Sequence, residues 1–531
     1  MKYNVLNGKA NLNEKIIKMA RCIVVGGGIS GLSTAYLLSR LPRTQVGHVS
    51  LFEANSSHLG GCILTHRNSE TGALHDLGPH SARIASAASN PLLRLVSSLG
   101  FSKDEVFWMP SLTRYLYAAG ALRPLNLLSP LSEPPFTRSH LSMFIRRALT
   151  KGPGPIKEDI SVDEFLRSRF DDEFADYLGT ALMRGICGAD SKTISASAFL
   201  GHMIKWEQES PNLVLGAVKS IITGKVQSLY PTKTYDVPHD TLDKLLPPLR
   251  KDIVPPKLAN VLNFSAGMQA LTDRIVDELN KMDNVDINMG STVCSLDYKD
   301  NAYELEIEQL NLFRTVDADA VFICTPVKHM KTLLSSRSFI SSNVTKLLSA
   351  EIFPSASIAV VALEFDIPKP KLPRGFGHLL PLCEDETVMG VIYDSCCSPL
   401  MDGKIASRKT TRFTVMLSPR KKWLEATEGK TSFSLEPTLR NELIAFAMNA
   451  LKIQLGLTVN KPIFAHAGFW CNTIPTYPVG HLENKNKIRK SIQDRLGWKR
   501  TLHLVGYALD GVGVGDCVKS AVNAVDSFCK Q

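Results

Sequence analysis

CIVVGGGISGLSTAYLLSRLP, residues 22–42, reads as a short buried strand, a glycine turn and a helix closed by Pro42. The turn satisfies G-x-G-x-x-G with Gly26, Gly28 and Gly31. The first glycine allows the tight turn, the second lets backbone approach a pyrophosphate, and the third permits close packing of helix on sheet. The helix, Ser30 to Arg40, turns its N-terminal N–H groups and positive dipole end toward a bound phosphate. A second strand, Val49–Glu53, then delivers an acid roughly 20 residues on, where a ribose hydroxyl would be met. Strand, turn, helix, strand and acid in this order predict a dinucleotide site, which an ordinary tight turn would not require.

Beyond Glu53 the chain reaches Gly60-Gly61, a pair that brings backbone to a flavin. This resembles the extended fingerprint of amine oxidase-like flavoproteins, an acid followed by an arginine and two glycines, with His58 in the arginine's place. FAD is the expected cofactor.

At 531 residues the chain is too long for one core, so two or three domains are expected. A hydrophobic fraction of 44% excludes a disordered chain. The net charge of +10 suits an acidic ligand or an anionic membrane surface, and no nucleic-acid motif accompanies it. The 11 cysteines include no C-x-x-C pair and read as reduced, unmetallated thiols. No apolar stretch is long enough for a transmembrane helix. The first 20 residues have neither a secretory apolar core nor a clear presequence.

Along the chain, 1–20 is an extension, 21–105 a first part of the FAD domain and 106–118 a strand of a substrate domain. Within them Asp76–Arg83 holds a Gly-Pro turn that folds backbone past the cofactor, and Leu112–Tyr117 alternates as a strand carrying Arg114. Residues 119–260 change character: a Pro-rich loop at 123–136, then helical patterns at 162–170, 173–186, 195–206 and 213–222. This α-helical insertion, with Arg146, Arg147, Lys151, Lys219 and Lys225, is either a membrane-lying surface or a helical domain with its own core. FAD-domain sequence resumes at 261–349, with strands at 285–288, 292–298, 303–307 and 318–325. An antiparallel substrate sheet is expected over 350–460, with strands at 357–365, 377–381, 388–393 and 411–417 and a helix at 435–454. The FAD domain closes with 461–531, where Gly506–Val518 opens the last helix. The predicted class is α/β: a Rossmann-type FAD domain, a mixed-sheet substrate domain and an α-helical membrane-binding insertion.

Matching pieces across most of the chain resemble the protoporphyrinogen oxidase family. They are VVGGGISGLSTAYLLSR, FEANSSHLGGC, DLGPHSAR, TRYLY, MRGICGADSKTISASAF, RGFGHLLP, VMGVIYDS, IPTYPVGH and GVGVGDCVKSA. The last two and the RGFGHLLP–VIYDS pair are the specific ones. Departures are His58, Cys62 and His80. The resemblance implies one non-covalent FAD held by Gly26, Gly27, Gly28, Ile29, Ser30, Gly31, Glu53, Ala54, Gly61, Cys62, Gly78, Pro79, His80, Ser81, Val293, Ile474, Val512, Gly513 and Val514. It implies a homodimer on the mitochondrial inner membrane that takes six electrons from protoporphyrinogen IX, with O2 as acceptor and hydrogen peroxide as product. Contact with a ferrochelatase would follow from handing on the product.

The macrocycle needs an apolar slot and a cation for its propionates. Arg114 matches the position expected to pair a propionate, Leu379 and Ile392 or Tyr393 would wall the slot, and Gly185 and Gly188 would line a face where a side chain clashes. No general base is evident; His80, after Gly-Pro, is the tempting candidate, though a histidine in such a place is more often a packing or hydrogen-bonding residue. Cys471 occupies the region where monoamine oxidases tether flavin, and is read as an untethered thiol. The competing readings are an amine or polyamine oxidase, a carotenoid desaturase, and a flavin-free binding protein like the GDP dissociation inhibitors.

Overall fold

The computed structural model describes residues 19–530 except 85–89, 111–112, 126–131, 151, 224–238, 257–258, 336–341, 368–373, 407, 428–434, 459–460 and 497–500. Lys151, Lys225, Leu112, much of the Pro-rich loop and nearly all of the N-terminal extension therefore lie outside the described residues.

Five parallel strands form one sheet in the spatial order Val285–Met289, Val46–Glu53, Ala20–Val25, Ala320–Ile323, Leu502–Leu504. The strand met first in the chain sits in the middle. Beside it the strand order reverses, which is where doubly wound sheets bind ligands at the carboxyl ends of their strands. Helix Ile29–Ser39 leaves the central strand and is buried along its whole length. It is buried all round, its small hydroxyl residues included, because the sheet covers one side and helix Val514–Cys529 the other, with Leu32, Tyr36, Val518 and Val522 in one core.

The opposite face of this sheet carries a meander of Ser291–Lys299, Ala302–Gln309 and Leu312–Ala318. The third of these strands has no counterpart among the expected ones. Its outward residues are exposed, so it has no apolar period, and the turn that starts it places Leu310 and Asn311 at φ of 53° and 62°.

A second, seven-stranded sheet runs Phe464–Pro475, Ser355–Phe365, Thr411–Leu417, Val388–Ile392, Gly377–Leu379, Arg114–Ala118, Ala121–Pro124. All neighbours are antiparallel except Gly377–Leu379 against Arg114–Ala118. The sheet thus extends past residue 460, because Phe464–Pro475 pairs along nearly all of Ser355–Phe365. It also reclaims residues 121–124 from the expected loop and insertion, through a turn in which Ala119 and Gly120 both have positive φ. Alternation separates its faces: Ala359, Val361, Leu363, Phe413 and Val415 pack on helix Pro437–Leu455, while Ile358, Val360, Met389 and Met416 point the other way.

The helices of the insertion enclose their own core around Phe165, Phe170, Phe174, Met183 and Trp206. Segment 173–186 is broken: Phe174–Gly179 is a π-helix that continues into α-helix Thr180–Cys187. Helix His140–Leu149 adds to the expected set, and helix Leu213–Ile222 packs beside it. Buried Arg184 ties this domain to the seven-stranded sheet, donating to the carbonyls of Leu380 (3.1 Å), Asp385 (2.7 Å) and Glu386 (2.8 Å). Among the described residues, no helix is long and apolar enough to cross a membrane.

Candidate active site

The glycine turn has the geometry its sequence demands. Gly26 sits at φ +103°, and a Cβ on Gly31 would stand 1.8 Å from Gly26 O, so helix and strand touch backbone to backbone. Gly28 is different: a Cβ there would meet only Gly61 Cα, at 3.9 Å. The space beside it is open, a cradle for a ligand rather than for protein. Gly60 N–H donates to Gly27 O at 2.8 Å, placing the Gly60-Gly61 pair beside the turn. Glu53 closes the far side, its Oε2 accepting from Gly27 N–H at 2.6 Å and its Oε1 from Asn55 N–H at 2.8 Å. Ala54 and Gly61 lie exposed at the rim. Next to Gly26, Thr325 Oγ1 is buried without a hydrogen-bond partner. An open glycine cradle, a helix N-terminus, an acid and an unsatisfied hydroxyl fit a dinucleotide.

The Asp76–Ser81 turn lies flush on this site, since a Cβ on Gly78 would stand 1.7 Å from Cys62 O. Burial pushes the Cys62 thiol up to about 12, so it stays neutral and unreactive. Several elements hold the turn. Asp76 Oδ1 accepts from Thr65 Oγ1 (2.6 Å) and Met268 N–H (2.9 Å), and burial raises its pKa. Trp470 Nε1 donates to Leu77 O at 2.8 Å, Asn263 Nδ2 donates to His80 O at 2.8 Å, and His80 Nδ1 meets Asp394 Oδ1 at 3.2 Å. Pro79, His80 and Ser81 remain half-buried.

The C-terminal glycine stretch faces the same helix end. A Cβ on Gly506, at φ +101°, would strike Ser30 Oγ at 2.2 Å. Gly513 caps helix Val514–Cys529, Val514 is buried in the core behind it, and Val512 packs against the helical domain. Val293 is buried on the meander strand, and Ile474 lies half-buried between the substrate sheet and the helical domain.

Of the substrate-side residues, Arg114, Leu379 and Ile392 share one sheet face. Arg114 alternates with Leu116 and Ala118, which pack with Leu379, and its guanidinium lies 5.7 Å from the Phe376 ring, in the cluster that includes Ile392 and Met109. Leu379 covers Gly185, where a Cβ would come 2.5 Å from Cδ2; Gly188 is instead required by its φ of +65°. Tyr393 does not join this face. Its ring is buried on the helix Pro437–Leu455 side, where its hydroxyl meets His378 Nδ1 at 2.8 Å, so of the two wall candidates only Ile392 sits with Arg114. Cys471 is half-buried beside Asn472 Nδ2 at 3.6 Å.

Trp470, Asn263, Asp394 and His329 join the site without a signal in the sequence that marks them for it. His329 is brought against Glu53 and the Val293 backbone, with its pKa lowered chiefly by burial. Nothing in the local spacing points to it. Asp394 and Trp470 stand inside or near specific segments, but only the folded chain brings them to the Asp76–Ser81 turn.

The family model described as flavin containing amine oxidoreductase matches residues 29–527. A Bos taurus protein named protoporphyrinogen oxidase is 29% identical over 95% of this chain and 98% of its own. One of that name from Schizosaccharomyces pombe is 26% identical over 93% and 96%. Among solved structures, a UDP-galactopyranose mutase superposes with a TM-score of 0.65 at 14% identity over 96% of both chains. Cyclohexylamine oxidase from Brevibacterium oxydans gives 0.60 at 15% identity over 96% and 99%. These two likenesses speak to the fold. A glycine cradle open at Gly28, closed by Glu53 and faced by the C-terminal glycines, under a family match that spans nearly the whole chain, makes this protein a member of the flavin containing amine oxidoreductases.

Proposed function

We propose that this protein oxidises protoporphyrinogen IX to protoporphyrin IX, using non-covalent FAD and three molecules of O2 and forming three of hydrogen peroxide. The observation that carries this reading is the placement of one guanidinium, Arg114, on the same apolar sheet face as Leu379 and Ile392. A greasy macrocycle with two carboxylates needs this combination. The chemistry that a bound FAD would supply is hydride acceptance from the carbon skeleton and electron transfer to oxygen. The residues around it bind and orient. Gly26–Gly31 and Glu53 would take the pyrophosphate and ribose, and the Asp76–Ser81 turn would lie along the flavin. Arg114 would pair a propionate, and Ile392, Leu379 and Phe376 would exclude water from the face of the ring.

Membrane association is part of this proposal. Helices His140–Leu149 and Leu213–Ile222 together expose Ile145, Leu149, Leu215, Val218, Ile221 and Ile222, with Arg146 and Lys219 among them. Such a surface lies on an anionic bilayer without spanning it.

The test is an absorbance spectrum of the purified protein, followed by protoporphyrinogen IX in air with porphyrin fluorescence recorded. Flavin bands and fluorescence rising faster than autoxidation support the reading. Flavin without turnover points to an amine or carotenoid substrate, and absence of flavin to a binding protein.

A further inference from the structure

The Asp76–Ser81 turn belongs to the cofactor side of the molecule, yet two of its anchors come from the other side: Trp470 from strand Phe464–Pro475, and Asp394 from the short helix Asp394–Cys397 that follows strand Val388–Ile392. The second of these is ionic. His80 Nδ1 stands 3.2 Å from Asp394 Oδ1, with 13% and 8% of the two side chains exposed. Asp394 follows Ile392 and Tyr393 directly, and its other oxygen accepts from Thr414 Oγ1 at 2.7 Å. The charged groups facing the imidazole are Asp394, Asp76 and Arg412. Arg412 donates to Asp402 Oδ1 (3.0 Å), Leu74 O (2.6 Å) and Ser398 O (2.7 Å), and more distantly to the backbone carbonyl of Asp394 (3.5 Å). Two carboxylates against one committed guanidinium leave His80 as the group that completes the local charge balance.

We propose that His80 is a positioning residue: as an imidazolium bound to Asp394 it latches the cofactor turn Gly78–Ser81 to the short helix Asp394–Cys397 at the edge of the substrate side, so that flavin affinity falls when the ring loses its proton. A neutral ring keeps the Nδ1–H···Oδ1 hydrogen bond but loses its charge, and charge-assisted bonds are roughly twice as strong. Burial alone would lower the His80 pKa, but the carboxylates of Asp394 and, less strongly, Asp76 outweigh it and the net direction is up from 6.5. For Asp394 burial alone would raise the pKa, but His80, with Arg412 and the Thr414 hydroxyl, outweighs it and the net direction is down from 3.8. A raised histidine stabilises below its ordinary pKa and ceases to do so as pH rises through the folded value. The latch is therefore closed in mildly acidic solution and released in alkali.

This inference rests on FAD as the resident cofactor, and the experiment separates the two. The dissociation constant for FAD is measured by recovery of flavin fluorescence on dilution, at about pH 6 and about pH 9, for the wild type, His80→Arg and His80→Asn. The wild type is expected to bind about five-fold more weakly at the higher pH. His80→Arg should bind tightly at both, because its charge does not titrate, and His80→Asn weakly at both. A wild-type constant that does not change with pH overturns the latch, as does His80→Asn matching the wild type in acid. If no variant binds FAD at either pH, the cofactor reading fails and the latch with it.

Discussion

The hydroxyl of Tyr477 accepts the Gly511 N–H at 2.7 Å and donates to Tyr507 O, bolting IPTYPVGH onto the C-terminal glycine stretch. His481 reinforces it: its ring stacks on Tyr477 at 4.0 Å and its Nε2 meets Leu509 O at 2.9 Å. The two segments most specific in the sequence are thus one structural unit. Tyr477→Phe leaves a buried donor and acceptor without a partner and should cost about 1–3 kcal/mol. Chemical denaturation checks this, with unchanged stability counting against the bolt.

Two glycines of one turn should fail in different ways. Gly31→Ala forces a Cβ into Gly26 O and is expected to unfold the domain, while Gly28→Ala meets open space and should fold yet bind no flavin. Circular dichroism and flavin content of the purified variants distinguish them. A Gly28→Ala protein that keeps its flavin would show that the cradle holds something else.

Arg114→Ala should raise KM about ten-fold or more while FAD stays bound, because it removes a guanidinium and nothing of the cofactor site. Arg114→Lys should recover part of this, having charge without the planar fork. Equal kinetics in all three would remove Arg114 from the substrate site.

Arg184→Met withdraws donors from three carbonyls at the join of helical domain and substrate sheet. A loss of about 3 kcal/mol is expected from the unsatisfied acceptors. It should appear in the Tm with no change in the oxidation spectrum of any bound flavin.

Acid should destabilise the join between strands Thr65–Arg67 and Leu74–Asp76 and the seven-stranded sheet in two steps. Burial, with His66, Arg440 and His75 nearby, lowers His466 to about 4. The unfolded chain takes up that proton first, so stability falls as pH drops from 6.5 to about 4. Burial pushes Glu364 up, but hydrogen bonds from His75, Thr410 and Asn68 outweigh this and hold it at about 2, below its ordinary 4.5. Its contribution is present above 4.5 and is lost as pH falls toward about 2. Glu364→Gln should abolish the second step and leave the first, as read by Tm against pH.

The dinucleotide unit, Gly60-Gly61, the central strands of the second sheet and most helices of the insertion are legible in the sequence because their signals are local. Glycine at fixed spacing, an apolar run and the period of buried residues need no knowledge of what lies across the molecule. Strand Leu312–Ala318 carries no such pattern, since its outward residues face solvent, and it forms because a partner strand is waiting.

By itself the sequence determined that a tight glycine turn between strand and helix forms at Gly26–Gly31, that Glu53 follows it, and that Arg114 lies on a strand flanked by aromatics. Tertiary structure alone decided which side chains meet. Strand alternation sends Ile392 to the Arg114 face and Tyr393 to the opposite one. Folding also brings Asp394 and Trp470 to a turn more than 300 residues earlier in the chain, at 3.2 Å and 2.8 Å. Hydrogen bonds and ion pairs act over a few ångströms whatever the separation along the chain, so spacing in sequence cannot foretell them.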